Sequence, residues 1–530
     1  MSSTDLTGTP SRSGIRAVLA MTAICMMVVG FNTTAVMTIL PNLKADLDLT
    51  PTQLQWVMAT YTVTGATLIS ILSRLGDISG KMSVFFFGML IFAFGSALVL
   101  FSESPAMLLV GRGAQGAGAA ALFGTSLSVL SAAAPEDQRA GVVGIWGAMM
   151  GLAISVGPIL GGAFASYLSW RAIFAADLVL LAIAFVLGLH VSRRNYVPDT
   201  RMPGAKLDIA GAIALLLLLG PLAFALSNSE RHGWTDTRTL FPLVVSVFAA
   251  VALVLTARRN ADPLIELRYF QHPRYVMAAA GMFFAGFALF CFFVFFNVFV
   301  QSPDTFGYGA IDAGLAILPL SVSLFIVSVA APRFLASYSF HWPLVFGMAA
   351  MTLGFLLLST TGNLASFSDI WWKLVIVGVG LGLCISLLPR LGLRLLPDEH
   401  AGQGSGVINT CLYFGATLGS VVGGVAEAVT TRSGLSEVIA ALPQGSTQRA
   451  DLAHALTHGA PSKVQQLIAE LDPQSGAALA KALRDLQDNA FDSAMLVSVI
   501  ATSLGLLFAL WLLRGPVPPV HDAVKFTQKG

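Results

Sequence analysis

The stretch SRLGDISGK, residues 73–81, places Arg74, Asp77 and Lys81 between two long runs without charge. Neither residues 49–72 nor residues 82–102 contain Asp, Glu, Lys or Arg. A helix needs roughly 20 apolar residues to cross hydrocarbon, and each run is that long. A short polar turn with Gly76 and Gly80 lets a chain leave the bilayer and re-enter it at once. The charges could also do no more than anchor two helix ends at the interface. These nine residues alone leave both readings open.

Composition extends the first inference to the whole chain. Of 530 residues, 55% are hydrophobic and 11% are charged. An average soluble domain carries roughly 25% charged residues. So little charge cannot cover the surface of a soluble protein this long, whereas a bilayer removes the need. The formal net charge of +2 gives no reason to expect nucleic acid. Cys25, Cys291, Cys384 and Cys411 lie in uncharged stretches without metal-ligand spacing and read as small buried hydrophobes. No Walker loop and no H-E-x-x-H pair occurs, so no metal, no cofactor and no enzyme activity is expected. An ion gradient remains as the energy source. Residues 17–40 are too long for a signal h-region and are expected to stay as a span.

Counting outward from the opening turn gives an all-α membrane protein with fourteen expected spans. They are 17–40, 54–73, 82–101, 105–131, 140–166, 171–192, 207–227, 239–257, 275–299, 310–330, 341–360, 371–396, 402–430 and 489–513. Barrel strands would be shorter and alternating. With a cytoplasmic N-terminus, nineteen Lys and Arg fall in inner segments and five in short outer ones, which follows the positive-inside rule. Both termini are then cytoplasmic. The organisation is a tail over 1–16, a six-helix bundle over 17–192, and two additional helices over 193–274. A second six-helix bundle covers 275–513, with a long outer loop at 431–488, and a tail covers 514–530. Within that loop, SKVQQLIAELD and GAALAKALRDLQD have helical apolar rhythm and read as two short amphipathic helices.

Polar residues inside the spans are the candidate functional groups. Arg112 in GRGAQGAGAA (111–120) lies at apolar depth if its helix starts near Ser104, with Gln115 on the same face. If the helix starts later, Arg112 snorkels to the interface. Asp177 sits about two turns into the sixth span. An acid there must face protein or water, as a proton carrier or as a structural partner of Arg112. Glu427 is a weaker proton-coupling candidate. Asn32 and Thr33 in the first span can hydrogen-bond a solute or a neighbouring helix. The ninth span, FFAGFALFCFFVFFNVF (283–299), is rich in phenylalanine. Phe287, Phe290 and Asn297 are its cavity candidates, although lipid-facing bulk explains any one ring equally well. In GAMMGLAISVGPILGG (147–162), Gly151, Gly157, Gly161 and Gly162 around Pro158 suit a close, bent helix seam, either static or moving.

These motifs together resemble the major facilitator superfamily, and within it the fourteen-helix drug:proton antiporters, over about residues 15–513. SRLGDISGK is similar to the loop motif between helices two and three through Asp77, Gly80 and Lys81; Ser73, Ile78 and Met82 depart from it. GRGAQGAG resembles the fourth-helix motif through Arg112, Gln115 and Gly116. GLAISVGPILGG resembles the fifth-helix antiporter motif through Gly151, Gly157, Pro158, Gly161 and Gly162. KLDIAGAI (206–213) and DPLIELRYFQHPRY (262–275) resemble the starts of the first extra helix and of the ninth helix. The resemblance implies two bundles alternating about a central cavity, with Asp77, Gly80 and Lys81 as a cytoplasmic latch. Arg112 would influence protonation, and the Pro158 seam would control leakage. The family's first-helix acid is replaced here by Asn32, which cannot titrate, and Asp177 is the expected substitute.

The expected function is proton-coupled export of lipophilic or cationic drugs from a bacterial cell across its inner membrane. A dedicated exporter of one metabolite or fatty-acid-like solute, and a non-transporting sensor or scaffold, are the alternatives. The long outer loop also resembles that of members working with a periplasmic adaptor and an outer-membrane channel.

Overall fold

The computed structural model describes residues 12–49, 51–198, 201, 206–260, 262–334, 341–360, 366–393, 396, 401–441, 468 and 473–513. The described part of the chain is α-helical. In order, the helices are α1 (Arg12–Thr38), α2 (Leu40–Leu47), α3 (Pro51–Ser79), α4 (Lys81–Leu100), α5 (Pro105–Ala133), α6 (Glu136–Tyr167), α7 (Arg171–Arg193) and α8 (Ile209–His232). There follow α9 (Thr237–Arg259), α10 (Pro273–Gln301), α11 (Ala310–Ala316), α12 (Leu318–Phe334), α13 (His341–Leu358), α14 (Trp371–Leu393), α15 (Ala401–Ala441) and α16 (Pro473–Leu513). The terminal tails before Arg12 and after Leu513 lie outside the described residues.

Among the described residues, eleven helices are long and apolar enough to cross a membrane. They include α5, which carries Arg112, and α15, which is polar and glycine-rich. The 32-residue α6 is outside that set, as are α12 and α13, whose apolar cores are only Leu318–Ala331 and Leu344–Leu358. The expected span 310–330 is not one helix. It breaks into α11 and α12 at Ile317, two residues before Pro319, which has no N–H to continue the ladder.

Two groups of helices pack mainly within themselves. In the first, α1 packs on α6 and α7, and α5 on α3 and α4. In the second, α10 packs on α14, α15 and α16, α12 on α14, and α13 on α14 and α16. The groups meet along two seams, α3 with α15 and α6 with α11 and α12. The pair α8–α9 stands outside both, with α8 against α3 and α15. Large apolar side chains on the outer faces, such as Phe94, Val186 and Phe248, are exposed, as helices bathed in lipid require.

The stretch expected as a loop at 431–488 is helical at both ends. α15 and α16 are each 41 residues long, about 60 Å of helix. That is about twice the thickness of a hydrocarbon core. Neither contains an interior proline, so nothing in the backbone stops them at the bilayer boundary. The apolar rhythm of GAALAKALRDLQD is the first part of α16. Its Leu479, Leu483 and Leu486 are buried, and Leu486 meets Gly434 of α15. The other amphipathic stretch, 462–472, lies outside the described residues except for Ile468.

Candidate functional site

The start of α5 decides how deep Arg112 lies. Ser104 caps the helix, its Oγ accepting from the Met107 N–H at 3.3 Å, and Pro105 occupies the first turn. Arg112 is therefore about 10 Å along the helix and does not snorkel. It is fully buried. Its Nε donates to the Val57 carbonyl at 3.1 Å, its Nη1 donates to Gln115 Oε1 at 2.9 Å, and its guanidinium lies 4.3 Å from the centre of the Tyr61 ring. A charge at this depth is tolerable only with such partners.

From Gln115 a chain of polar groups leads to Asp177. Gln115 Nε2 donates to Ser96 Oγ at 2.9 Å and to Asn32 Oδ1 at 3.3 Å. Asn32 Nδ2 donates to Asp177 Oδ2 at 2.7 Å, and Ser96 Oγ donates to the same oxygen at 3.2 Å. Asn32, Tyr61, Ser96, Arg112, Gln115 and Asp177 all have 0% exposure, and they come from α1, α3, α4, α5 and α7. Asp177 and Arg112 do not form a direct ion pair; two amides and a hydroxyl separate them. Asp177 Oδ1 and Arg112 Nη2 have no hydrogen-bond partner among the described residues. The donors and the nearby guanidinium favour the carboxylate, while burial favours the neutral acid.

Thr33 belongs to the edge of this cluster. It donates to the Val29 carbonyl at 2.8 Å and approaches the Tyr61 hydroxyl at 3.4 Å. Sequence reading singled out Arg112, Gln115, Asn32 and Asp177 but missed Ser96 and Tyr61. Ser96, the one hydroxyl between Val84 and Leu100 of α4, was the available signal. Tyr61 offered none, because a tyrosine in a membrane helix is ordinary.

A cavity of about 640 Å³ opens between the two helix groups at the end of the molecule that carries Lys44. Its apolar wall includes Met37, Leu54, Met58, Val294 and Phe295, and its polar wall Asn297, Gln301, Thr417, Ser420 and Glu427. Lys44 on α2 and Gln487 on α16 also line it. Asn297 accepts a hydrogen bond from Gln301, and Glu427 accepts one from Thr431 at 3.2 Å. Of the side chains expected in a cavity, Asn297 is in this wall. Phe287 and Phe290 are not; both are buried, two turns and one turn before Val294 on the same side of α10. Asn32, Thr33 and Gln115 belong to the polar chain instead.

At the opposite end the α3–α15 seam is closed. Asp77 Oδ1 lies 3.9 Å from Lys81 Nζ, and its carboxylate accepts from a backbone N–H at Gln403, at the start of α15. Ser70 and Thr410 hydroxyls are 2.7 Å apart across the seam. Gln403, absent from the sequence reading, is a knot. Its Nε2 donates to the carbonyls of Pro263 and Leu264 at 2.6 and 3.0 Å, and its Oε1 accepts from Tyr269 Oη at 2.9 Å. The segment before α10 is thereby tied to α15. Arg74, 3.8 Å from Asp262, ties it to α3 as well. Gly80 has φ +107°, which only glycine adopts readily, and it caps α4.

Within the first group, a Cβ at Gly157 would fall on Thr34 Oγ1, and one at Gly161 would lie 2.9 Å from the Ala35 carbonyl. The backbones of α1 and α6 thus touch through these glycines. On the far side, a Cβ at Gly314 of α11 would lie 2.8 Å from the Pro158 carbonyl. Gly151 and Gly162 lie in the same helix, α6. Cys25, Cys291 and Cys384 are buried and Cys411 is half-buried, all as free thiols. Among the described residues no group of His, Cys, Asp or Glu is arranged to hold a metal ion.

Comparison with known proteins gives these features a context. Residues 22–420 match the family description of the Major Facilitator Superfamily. The chain is 30% identical to the multidrug resistance protein Stp of Mycobacterium tuberculosis, over 73% of this chain and 72% of the relative. It is 31% identical to the cephamycin export protein CmcT of Amycolatopsis lactamdurans, over 79% and 86% of the two chains. Multidrug resistance protein 3 of Bacillus subtilis is 28% identical over 74% and 76%.

Proposed function

The chain belongs to the major facilitator superfamily, and from that premise we propose that it is a proton-coupled multidrug exporter of a bacterial inner membrane. The multidrug resistance proteins among its relatives support export of drug-like organic molecules, and a transport rather than an enzymatic role. The eleven long helices become fourteen spans when α6, the α11–α12 pair and α13 are added. The bias of Lys and Arg then puts both termini and the Asp77 end in the cytoplasm. The cavity opens outward.

The observation that carries the coupling is the 2.7 Å hydrogen bond from Asn32 to Asp177. The acid sits beside the very position where the resembling antiporters carry theirs, but on α7 instead of α1. When Asp177 is ionised, Asn32 and Ser96 donate to it as observed. Protonated on Oδ2, the acid needs an acceptor, which Asn32 supplies by turning its amide. Its Nδ2 then faces Gln115 Nε2, donor against donor, and Gln115 must turn too, withdrawing Oε1 from Arg112. Two amide flips thus carry the proton's presence to Arg112 and, through Tyr61, to α3. Helix α3 is one side of the seam that must open and close.

The test is purified protein in liposomes with an imposed proton gradient and a trapped pH dye. Several unrelated lipophilic cations and neutral drugs are expected to provoke proton movement, and Asp177→Asn is expected to abolish it while the protein stays folded. Unaltered coupling in that variant would refute the role of Asp177. A dedicated exporter is the second reading, favoured by the cephamycin exporter among the relatives; response to a single compound would select it. The projecting ends of α15 and α16 are the proposed docking site for a periplasmic adaptor leading to an outer-membrane channel. Loss of adaptor capture on charge reversal of their exposed faces would support this, and unchanged capture would count against it.

A further inference from the structure

We infer that α8, which belongs to neither bundle, is a wall of the transport cavity, and that the small side chain of Ala223 sets the widest lipophilic guest the cavity admits. The inference rests on the reading of this cavity as the transport site. Ala223 lies in the cavity wall, as do Met58 and Thr62 of α3 and Thr417 of α15. Helix α8 packs on both of those helices, and its Phe224 ring lies 5.7 Å from that of Trp56 on α3.

The geometry explains why a third helix is needed there. Toward Asp77, α3 and α15 are in direct contact: Ser70 meets Thr410, and a Cβ on Gly406 would lie 2.9 Å from Ser73 Cβ. Toward Lys44 the same two helices diverge and the cavity lies between them. A gap between diverging helices would open sideways into lipid. α8 covers it, and Ala223 is the α8 residue in the wall. Ala223 is buried, with 3% exposure, so its methyl group closes the wall without projecting far into the space. A large side chain there must occupy cavity volume or push α8 off the seam. The α3 and α8 residues of the wall are apolar apart from Thr62, while Asn297, Gln301, Thr417 and Glu427 gather the polarity on the α10 and α15 sides. The guest that fits is an amphiphile with a bulky lipophilic body toward α8 and a cationic or hydrogen-bonding end toward Glu427.

The test does not depend on transport. A reporter thiol is placed at Val294→Cys on the α10 wall, and its reaction with one small and one bulky membrane-impermeant thiol reagent is timed from outside. The native cysteines are buried or half-buried, and their background is read from the chain without the reporter. Adding Ala223→Trp should slow the bulky reagent roughly tenfold more than the small one. Ala223→Leu should do so to a lesser degree and serves if the Trp variant does not fold, whereas Ala223→Gly should leave or raise the bulky rate. An unchanged ratio of bulky to small rates in the Trp and Leu variants would overturn the role of α8. That result together with intact drug-provoked proton movement would leave the exporter reading standing, so the two failures are distinguishable.

Discussion

Exchanging the two side chains of the Asn32–Asp177 pair separates the identity of the acid from its position. Asn32→Asp alone puts two carboxyl groups in hydrogen-bond contact, where both cannot ionise together. That variant should retain coupling but shift its pH dependence, since the pair then titrates as a unit. The exchanged double variant, Asn32→Asp with Asp177→Asn, should couple within roughly tenfold of the parent, because Gln115 Nε2 and the new amide at position 177 still reach the acid. Dye-reported proton flux across a pH series checks both, and a silent double variant would mean that the acid must be on α7. A second residue-scale prediction concerns Asp46 on α2, outside the spans. The hydrogen bond from Arg171 at 2.5 Å holds its carboxyl below the usual carboxylate range. The folded group is the stronger acid. Its contribution to stability is therefore present above the ordinary value of about 4 and is lost as pH falls through the folded value. The effect is small because the pair is partly exposed. Melting curves of the parent and Asp46→Asn should differ near neutral pH and converge in acid. At this scale the sequence singled out four members of the buried chain one by one, from their polarity at apolar depth. That Asn32 and Asp177, 145 positions apart, touch each other could not be read from spacing.

At the scale of elements, the seam of α1 and α6 depends on the absence of a side chain at Gly157. Gly157→Ala should destabilise the protein by about 1–3 kcal/mol, since a close-packed contact has no room for a methyl group. Because the obstructing atom is Thr34 Oγ1, Thr34→Ala should recover part of that loss. Thermal unfolding of the two single variants and the double variant in detergent measures the coupling; strict additivity would mean that the clash is relieved elsewhere. The glycines and Pro158 were legible as a packed seam from their spacing in one segment. Where α15 and α16 end was not. An apolar window marks where a helix enters lipid, but it does not say that the helix stops there. Residues 431–441 and 473–488 remain helical because no proline breaks them, and because Leu479, Leu483 and Leu486 find a surface to pack against. The opposite error at α11–α12 has the same origin, since a window average hides the missing N–H of Pro319.

For the whole molecule, the contact between Ser70 and Thr410 offers a lock. With hydroxyl oxygens 2.7 Å apart, thiols in their places are within reach of a disulfide. Oxidising the Ser70→Cys/Thr410→Cys variant should hold the Asp77 end shut and stop transport, and reduction should restore it. Undiminished transport in fully cross-linked protein would exclude a cycle in which α3 and α15 part at this end. The placement of this protein in lipid, the charged groups Arg112 and Asp177 at depth and the glycine seam are all local consequences of composition and order, so sequence by itself determined them. The tertiary structure decided which helices meet. It joined α3 to α15 through Gln403 and the segment before α10, laid α8 across the gap those helices leave, and put Asp177 on Asn32. The physical reason is that residue polarity and helix periodicity act over a few turns of one chain segment. Which face meets which partner is set by the shape and hydrogen-bond complementarity of surfaces that exist only once the helices have assembled.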